Sequence, residues 1–145
     1  HKSFGLTGRQ AESAIRECHL TLNRNALPFD ANGPWYTSGL RLGTAAATTL
    51  GMGPDEMREV ADIVQVVLSR TRPAIADSGP QTGKPSPAKF ELEEADAGLA
   101  KRRVIDLLTH YPLYPEIDLD RVLGMERADA SGGRTGVGLA RGAMS

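Results

Sequence analysis

Trp35-Tyr36-Thr37-Ser38-Gly39-Leu40-Arg41-Leu42-Gly43-Thr44, running on through Ala45 to Gly51, is the stretch whose reading decides the fold. Trp35, Tyr36 and Thr37 have side chains that suit a pleated strand. Side chains alternate faces along an extended chain. Trp35, Thr37, Gly39, Arg41 and Gly43 then share one face, and Tyr36, Ser38, Leu40, Leu42 and Thr44 share the other. Leu40 and Leu42 require a core behind the sheet, so Arg41 points away from it with a glycine on each side. Two missing side chains leave a trough around a guanidinium. A planar fork of N–H donors in a trough suits a small carboxylate. The same pattern also describes an exposed strand arginine whose glycines relax a bulge or twist.

Size and charge narrow the surroundings of that strand. A chain of 145 residues allows one ordinary domain. With a net charge of −1 it carries no basic excess for nucleic acid or for an anionic membrane. No apolar run is long enough to span a bilayer. The first residues, His1 to Gly8, have no apolar segment of the kind a signal peptide needs. The one cysteine, Cys18, excludes an internal disulfide and fits a reducing, cytoplasmic setting. The chain starts at His1 without Met and reads as a fragment or processed product.

Upstream of the strand, Thr7 and Gln10 have the spacing of a capping box. Ala11, Ala14, Ile15 and Cys18 continue at helical spacing, and the helix should end near His19. Cys18 on that stripe reads as a small buried side chain. Leu20 to Asn23 is a short strand candidate. Asn23 and Asn25 are residue types that tolerate the tight turns leaving it. Asp30-Ala31-Asn32-Gly33-Pro34 is a turn-rich return to Trp35.

Downstream, Pro54 with Asp55 and Glu56 opens a second helix. Its apolar stripe is Met57, Val60, Ala61, Val64, Val67 and Leu68, widened by Ile63 and Val66. Residues 71–88, with Pro73, Pro80, Pro85 and Pro87, read as a linker or long loop. Phe90 to Tyr111 reads as helical, with Gly98 as a possible break, Lys101-Arg102-Arg103 as a solvated face and His110 at its end. The expected organisation is a core at 1–70, a linker at 71–88, a helical segment at 89–123, and a Gly-rich tail at 124–145 that cannot offset its ordering entropy. No metal-ligand cluster and no Ser-His-Asp set is apparent.

Two motifs taken together resemble a known family. Thr21-Leu22-Asn23-Arg24-Asn25-Ala26-Leu27-Pro28-Phe29-Asp30 and then Thr37 to Met52 are similar, in order and spacing, to T-V-N-x-N-x-x-P-x-D and T-S-G-(I/L)-R-(I/L/V)-G-T-P-A-x-T-x-R-G-(F/M). Those segments belong to the C-terminal small domain of serine hydroxymethyltransferase (glycine hydroxymethyltransferase). The resemblance covers roughly residues 4–70 well and 100–115 weakly; Tyr111-Pro112-Leu113-Tyr114-Pro115 is similar to the family's F-P-x-Y-P ending. Ala45 and Leu50 stand where the family usually has Pro and Arg.

The resemblance implies an α/β fold of the α+β two-layer type: a small, mainly antiparallel sheet with helices on one face, as in fold-type I pyridoxal phosphate enzymes. It implies Arg41 as the anchor of the substrate carboxylate and Asn25 as a folate contact. It implies pyridoxal 5'-phosphate as cofactor, tetrahydrofolate as co-substrate, a large cofactor-binding domain as partner and a homo-oligomeric parent. The family's cofactor lysine has no counterpart here, since Lys2 stands directly before the first helix. The chain alone is therefore expected to be inactive and to form no Schiff base. The alternative is a non-catalytic product, either a subunit-interaction module or a folded relic.

Overall fold

The computed structural model describes residues 3–113. In chain order these form α1 (Gly8–Glu17), β1 (Asn23–Asn25), α2 (Gly33–Tyr36), β2 (Gly39–Arg41), α3 (Ala45–Thr49), α4 (Pro54–Arg70), β3 (Arg72–Ile75), β4 (Pro85–Glu91) and α5 (Glu94–His110). The expected antiparallel α/β class is present. Its strands divide into two sheets of two strands each, β1 with β2 and β3 with β4. The part of the expected 89–123 segment beyond Leu113 and the expected tail at 124–145 lie outside the described residues.

Helix α1 is the hub. It packs against β1, β2, β4, α2 and α4. Its start is the capping box read from the sequence. Gln10 N donates to Thr7 Oγ1 at 3.2 Å, and Thr7 N donates to Gln10 Oε1 at 2.8 Å. Its end is closed by His19, whose φ of 68° is the left-handed conformation that terminates many helices. Ala14, Ile15 and Cys18 are fully buried. Burial pushes the Cys18 thiol pKa up, as befits a small apolar filler.

Gln10 also reaches across the chain. Its Nε2 donates to Ser86 O at 2.6 Å and to Lys89 O at 2.9 Å, while Thr7 Oγ1 donates to Pro87 O at 2.8 Å. These bonds seat β4 on the start of α1. The 71–88 stretch, expected as a linker or long loop, thus holds β3 and most of β4. Phe90, expected in a helix, is paired with Pro73 in this hairpin. Prolines are tolerated in such a pair because both strands are edges, and an edge strand turns alternate N–H positions away from its partner.

Helix α4 begins with Pro54 in its first turn and with Gly53 N donating to Glu56 Oε2 at 2.7 Å. Ile63, Val67 and Leu68 are its buried residues. Ile63, expected at the edge of the stripe, is at its centre, and Ala61, expected inside it, is exposed. Each large aliphatic side chain so buried contributes about 1.5–3 kcal/mol. Helix α5 runs through Gly98 without a break and buries Ala97, Ala100 and Val104 against this face.

Arg103 corrects the reading of Lys101-Arg102-Arg103 as a solvated face. Its Nε and Nη2 donate to the two Glu59 oxygens at 2.7 and 2.8 Å, and Nη2 also reaches Asp62 Oδ2 at 2.7 Å. The two-pronged contact ties α5 to α4. Tyr111 OH adds a bond to Glu56 Oε1 at 2.7 Å. His110 stays at the helix end, with Nδ1 2.8 Å from Asp106 O. Among the described residues, no helix is long and apolar enough to cross a membrane.

Candidate functional site

The site is built on the β1–β2 pair. Asn23 lies opposite Arg41, Arg24 opposite Leu40, and Asn25 opposite Gly39. Directly opposed residues of an antiparallel pair share a face. One face therefore carries Arg24 and Leu40, the other Asn23, Asn25, Gly39 and Arg41. Arg24 and Leu40 are on the α1 side. Arg24 Nη1 meets Glu12 Oε2 at 2.7 Å, and Leu40 packs on the core. Asn23, Asn25 and Arg41 are exposed on the outer face.

The two arginines are treated differently. Arg24 has a carboxylate from α1. Among the described residues no carboxylate pairs with Arg41. With its amide turned so that both ends are satisfied, Asn23 donates to Leu22 O at 3.3 Å and accepts from Arg41 Nη2 at 3.1 Å. Asn25 Nδ2 donates to Ala26 O at 2.9 Å. Asn25 and Arg41 are diagonal neighbours of the ladder, a relation that sets two residues roughly 7–8 Å apart.

The trough expected around Arg41 is half present. At Gly39 a Cβ would come within 2.7 Å of Leu27 Cδ2 and 2.9 Å of Asn25 O. That space is filled by Leu27, so Gly39 is needed for packing. At Gly43 a Cβ would meet nothing within 4 Å, and the face is open on that side.

The expected strand through Trp35 and Tyr36 is replaced by the short helix α2. The cause is Asp30, which gathers the preceding loop. Its carboxylate accepts from Leu27 N at 3.1 Å, Asn32 N at 2.9 Å, Ser38 N at 2.7 Å and Ser38 Oγ at 2.6 Å. The Ser38 hydroxyl and then the Asn32 N–H hold its pKa down at about 2. Four converging donors bend residues 27–38 into a compact loop, and the chain becomes extended only after Thr37, whose φ is 55°. Trp35 is left 63% exposed, with the Arg9 guanidinium 5.5 Å from its ring centroid.

Beyond β2 the alternation fails again. Leu42 was expected beside Leu40 in the core, yet it is 51% exposed. Strand β2 ends at Arg41 and the chain turns into α3, which carries Leu42 out of the pleat. Leu42 lines a groove of about 300 Å³ together with Leu50, Met52, Val60, Val64 and Leu108. Leu50, where the resemblance expects Arg, is thus part of an apolar wall. Ala45 is the first residue of α3, a place where Pro fits without loss of a bond.

Asn23, Asp30 and Glu12 are the residues of this site that the sequence reading passed over. Asp30 had a local signal, an Asp two residues before an Asn in a Gly-Pro turn. Glu12 had none, and Asn23 stood in the Asn-x-Asn motif only as a turn-tolerant residue, because their partners are set by tertiary pairing. Among the described residues, no group of His, Cys, Asp and Glu is placed to hold a metal ion.

The sequence that builds this face has counterparts in known proteins. The sequence matches the profile of serine hydroxymethyltransferase over residues 1–64. It is 46% identical to the serine hydroxymethyltransferase of Cutibacterium acnes over 117 residues, 81% of this chain. It is 47% identical to that of Treponema pallidum over 117 residues and 50% identical to that of Chlamydia pneumoniae over 121 residues. The chain belongs to the serine hydroxymethyltransferase family. It spans 23, 20 and 24% of the length of these three relatives, about a fifth to a quarter. The strands that carry the serine hydroxymethyltransferase-like Asn-x-Asn and Ser-Gly-Leu-Arg segments are β1 and β2, and their pairing brings Asn25 and Arg41 to one exposed face.

Proposed function

We propose that this chain supplies the amino-acid carboxylate site and part of the folate site of a serine hydroxymethyltransferase. Arg41 takes the carboxylate through two parallel N–H···O bonds. Holding that end fixes which Cα bond is presented for cleavage. Asn25 offers an amide, which both donates and accepts, to the edge of the folate pterin. The parent interconverts serine and glycine with transfer of a one-carbon unit to tetrahydrofolate. The observation that carries this reading is Arg41 itself: an exposed guanidinium facing away from the core, which no carboxylate of the described residues neutralises, beside a strand partner that offers only an amide.

Pyridoxal phosphate, when bound in the parent, supplies the electron sink for that cleavage. The described residues do not fit its covalent attachment. Lys89 is paired with Asp77 at 3.1 Å, Lys84 stands between β3 and β4, and Lys101 is on α5, none of them on the β1–β2 face. Among the described residues no lysine is placed to form the Schiff base, and the chain alone is expected to have no hydroxymethyltransferase activity. The attachment lysine comes from the rest of a full-length subunit.

The apolar groove at Leu42 and Leu108 favours a second reading, in which the chain acts by docking to an intact subunit of the family. One experiment separates the two. This chain replaces the matching segment of the Cutibacterium acnes relative, and serine cleavage dependent on tetrahydrofolate is measured. Activity in the chimera, with the KM for tetrahydrofolate raised about tenfold by Asn25→Ala, is the expected result. A folded chimera with no activity, or an unchanged KM in the variant, overturns the catalytic reading.

A further inference from the structure

We infer that Asn23 is a positioning residue for Arg41: its amide oxygen holds the guanidinium in place while leaving its charge for an incoming carboxylate. The inference deepens the proposed function and rests on it. It starts from the register. Asn23 and Arg41 are directly opposed, so their Cα atoms are fixed by the ladder. In the orientation that satisfies both ends of the Asn23 amide, its nitrogen donates to Leu22 O at 3.3 Å. Its oxygen then faces Arg41 Nη2 at 3.1 Å.

Arg41 needs such a partner. A long exposed side chain loses rotamer freedom on binding, and that loss weakens any contact it makes. A preset side chain has already lost it. A guanidinium has five N–H donors. Asn23 engages one of the two on Nη2, and four remain, enough for a two-pronged contact.

The identity of the holding group matters. Across the same hairpin, Arg24 is held by the Glu12 carboxylate at 2.7 Å. That pairing neutralises the cation and makes it structural. A carboxylate at position 23 would do the same to Arg41 and would occupy the site intended for substrate. A neutral amide of the same shape orients the cation without discharging it. Leucine or alanine at 23 would leave it unheld.

The test uses the whole chain, isotope-labelled, with sodium formate as the carboxylate probe. Nuclear magnetic resonance follows the Arg41 Nε–H signal and the β1–β2 amides in the native chain, in Asn23→Ala and in Asn23→Asp. In the native chain the Arg41 side chain should be ordered and its signal should move with formate. Asn23→Ala should loosen the side chain and weaken formate binding at least about threefold, with the hairpin amides unmoved. Asn23→Asp should keep the side chain ordered and abolish the formate response, because the new carboxylate competes. Equal order and equal formate response in all three proteins would overturn the inference. A side chain that loosens in Asn23→Ala, with no formate response even in the native chain, would uphold the positioning contact and overturn Arg41 as a carboxylate anchor.

Discussion

Replacing Gln10 by Met should cost this fold about 3–5 kcal/mol. Gln10 is 1% exposed and makes three bonds through its side chain: Thr7 N to Oε1 at 2.8 Å, and Nε2 to Ser86 O at 2.6 Å and Lys89 O at 2.9 Å. Methionine fills the same volume, so no cavity opens and the loss is polar. Each bond is worth roughly 0.5–1.5 kcal/mol net, and a buried group left without a partner costs roughly 1–3. Thr7 and Ser86 are both buried, so at least two orphaned groups have no access to water. Against a typical stability of about 5–15 kcal/mol the loss is severe. At roughly 4 °C per kcal/mol for a domain of this size, the melting temperature should fall by about 12–20 °C. Thermal melts and amide exchange are the assays. Protection should drop first in β4 and later in β1–β2, because Gln10 seats β4 and not the site hairpin. A fall under about 3 °C with β4 protection intact would refute the reasoning. Gln10→Glu is the control. It keeps the acceptor for Thr7 N and loses both donors when ionised. Burial raises its pKa above the unfolded value, so the folded state binds the extra proton and stability falls as pH rises.

Two further outcomes follow from the site loop. Asp30 has a folded pKa near 2 against an ordinary 3.8, so its stabilisation is full above about pH 4 and is lost as pH falls toward 2; the amide signals of Leu27, Asn32 and Ser38 should titrate together in that window, and a common midpoint near 4 would show that the clamp does not form. Gly39→Ala should destabilise by about 1–3 kcal/mol in urea unfolding, because its Cβ must displace Leu27 Cδ2 and meets the Asn25 carbonyl at 2.9 Å; a neutral result would mean the β1–β2 pair is looser than described.

What was legible in the sequence was what depends on neighbours. The Thr7–Gln10 box, the Pro54 start of α4 and the helix end near His19 each involve residues within one turn of each other, and each is present. The outward direction of Arg41 was also legible, because Leu40 beside it must face the core. Longer-range pairing was not. The proline-rich 71–88 stretch looked like a linker because proline removes a ladder donor; it pairs as a hairpin seated on Thr7 and Gln10, contacts about 80 residues apart in the chain. Trp35 and Tyr36 have strand-type side chains, yet four donors converging on Asp30 bend them into α2. Arg103 looked solvated because its partners, Glu59 and Asp62, lie on another helix. That Asn25 and Arg41 share one face, and that Asn23 lies opposite Arg41, emerged only from the register.

The central claim is that Arg41 anchors a carboxylate, and the glycine affinity of Arg41→Lys tests it most directly. The measurement is made on the full-length chimera, with the melting temperature taken on the same preparation. Arg41 is exposed and faces away from the core, so its loss removes little packing. Lysine keeps the charge but cannot form two parallel bonds. A charge-assisted bond is worth about 1.5–3 kcal/mol, so glycine affinity should fall at least about tenfold. The melting temperature should move by less than about 2 °C. Glycine affinity per folded molecule that is unchanged, with or without a collapsed melt, would contradict the account.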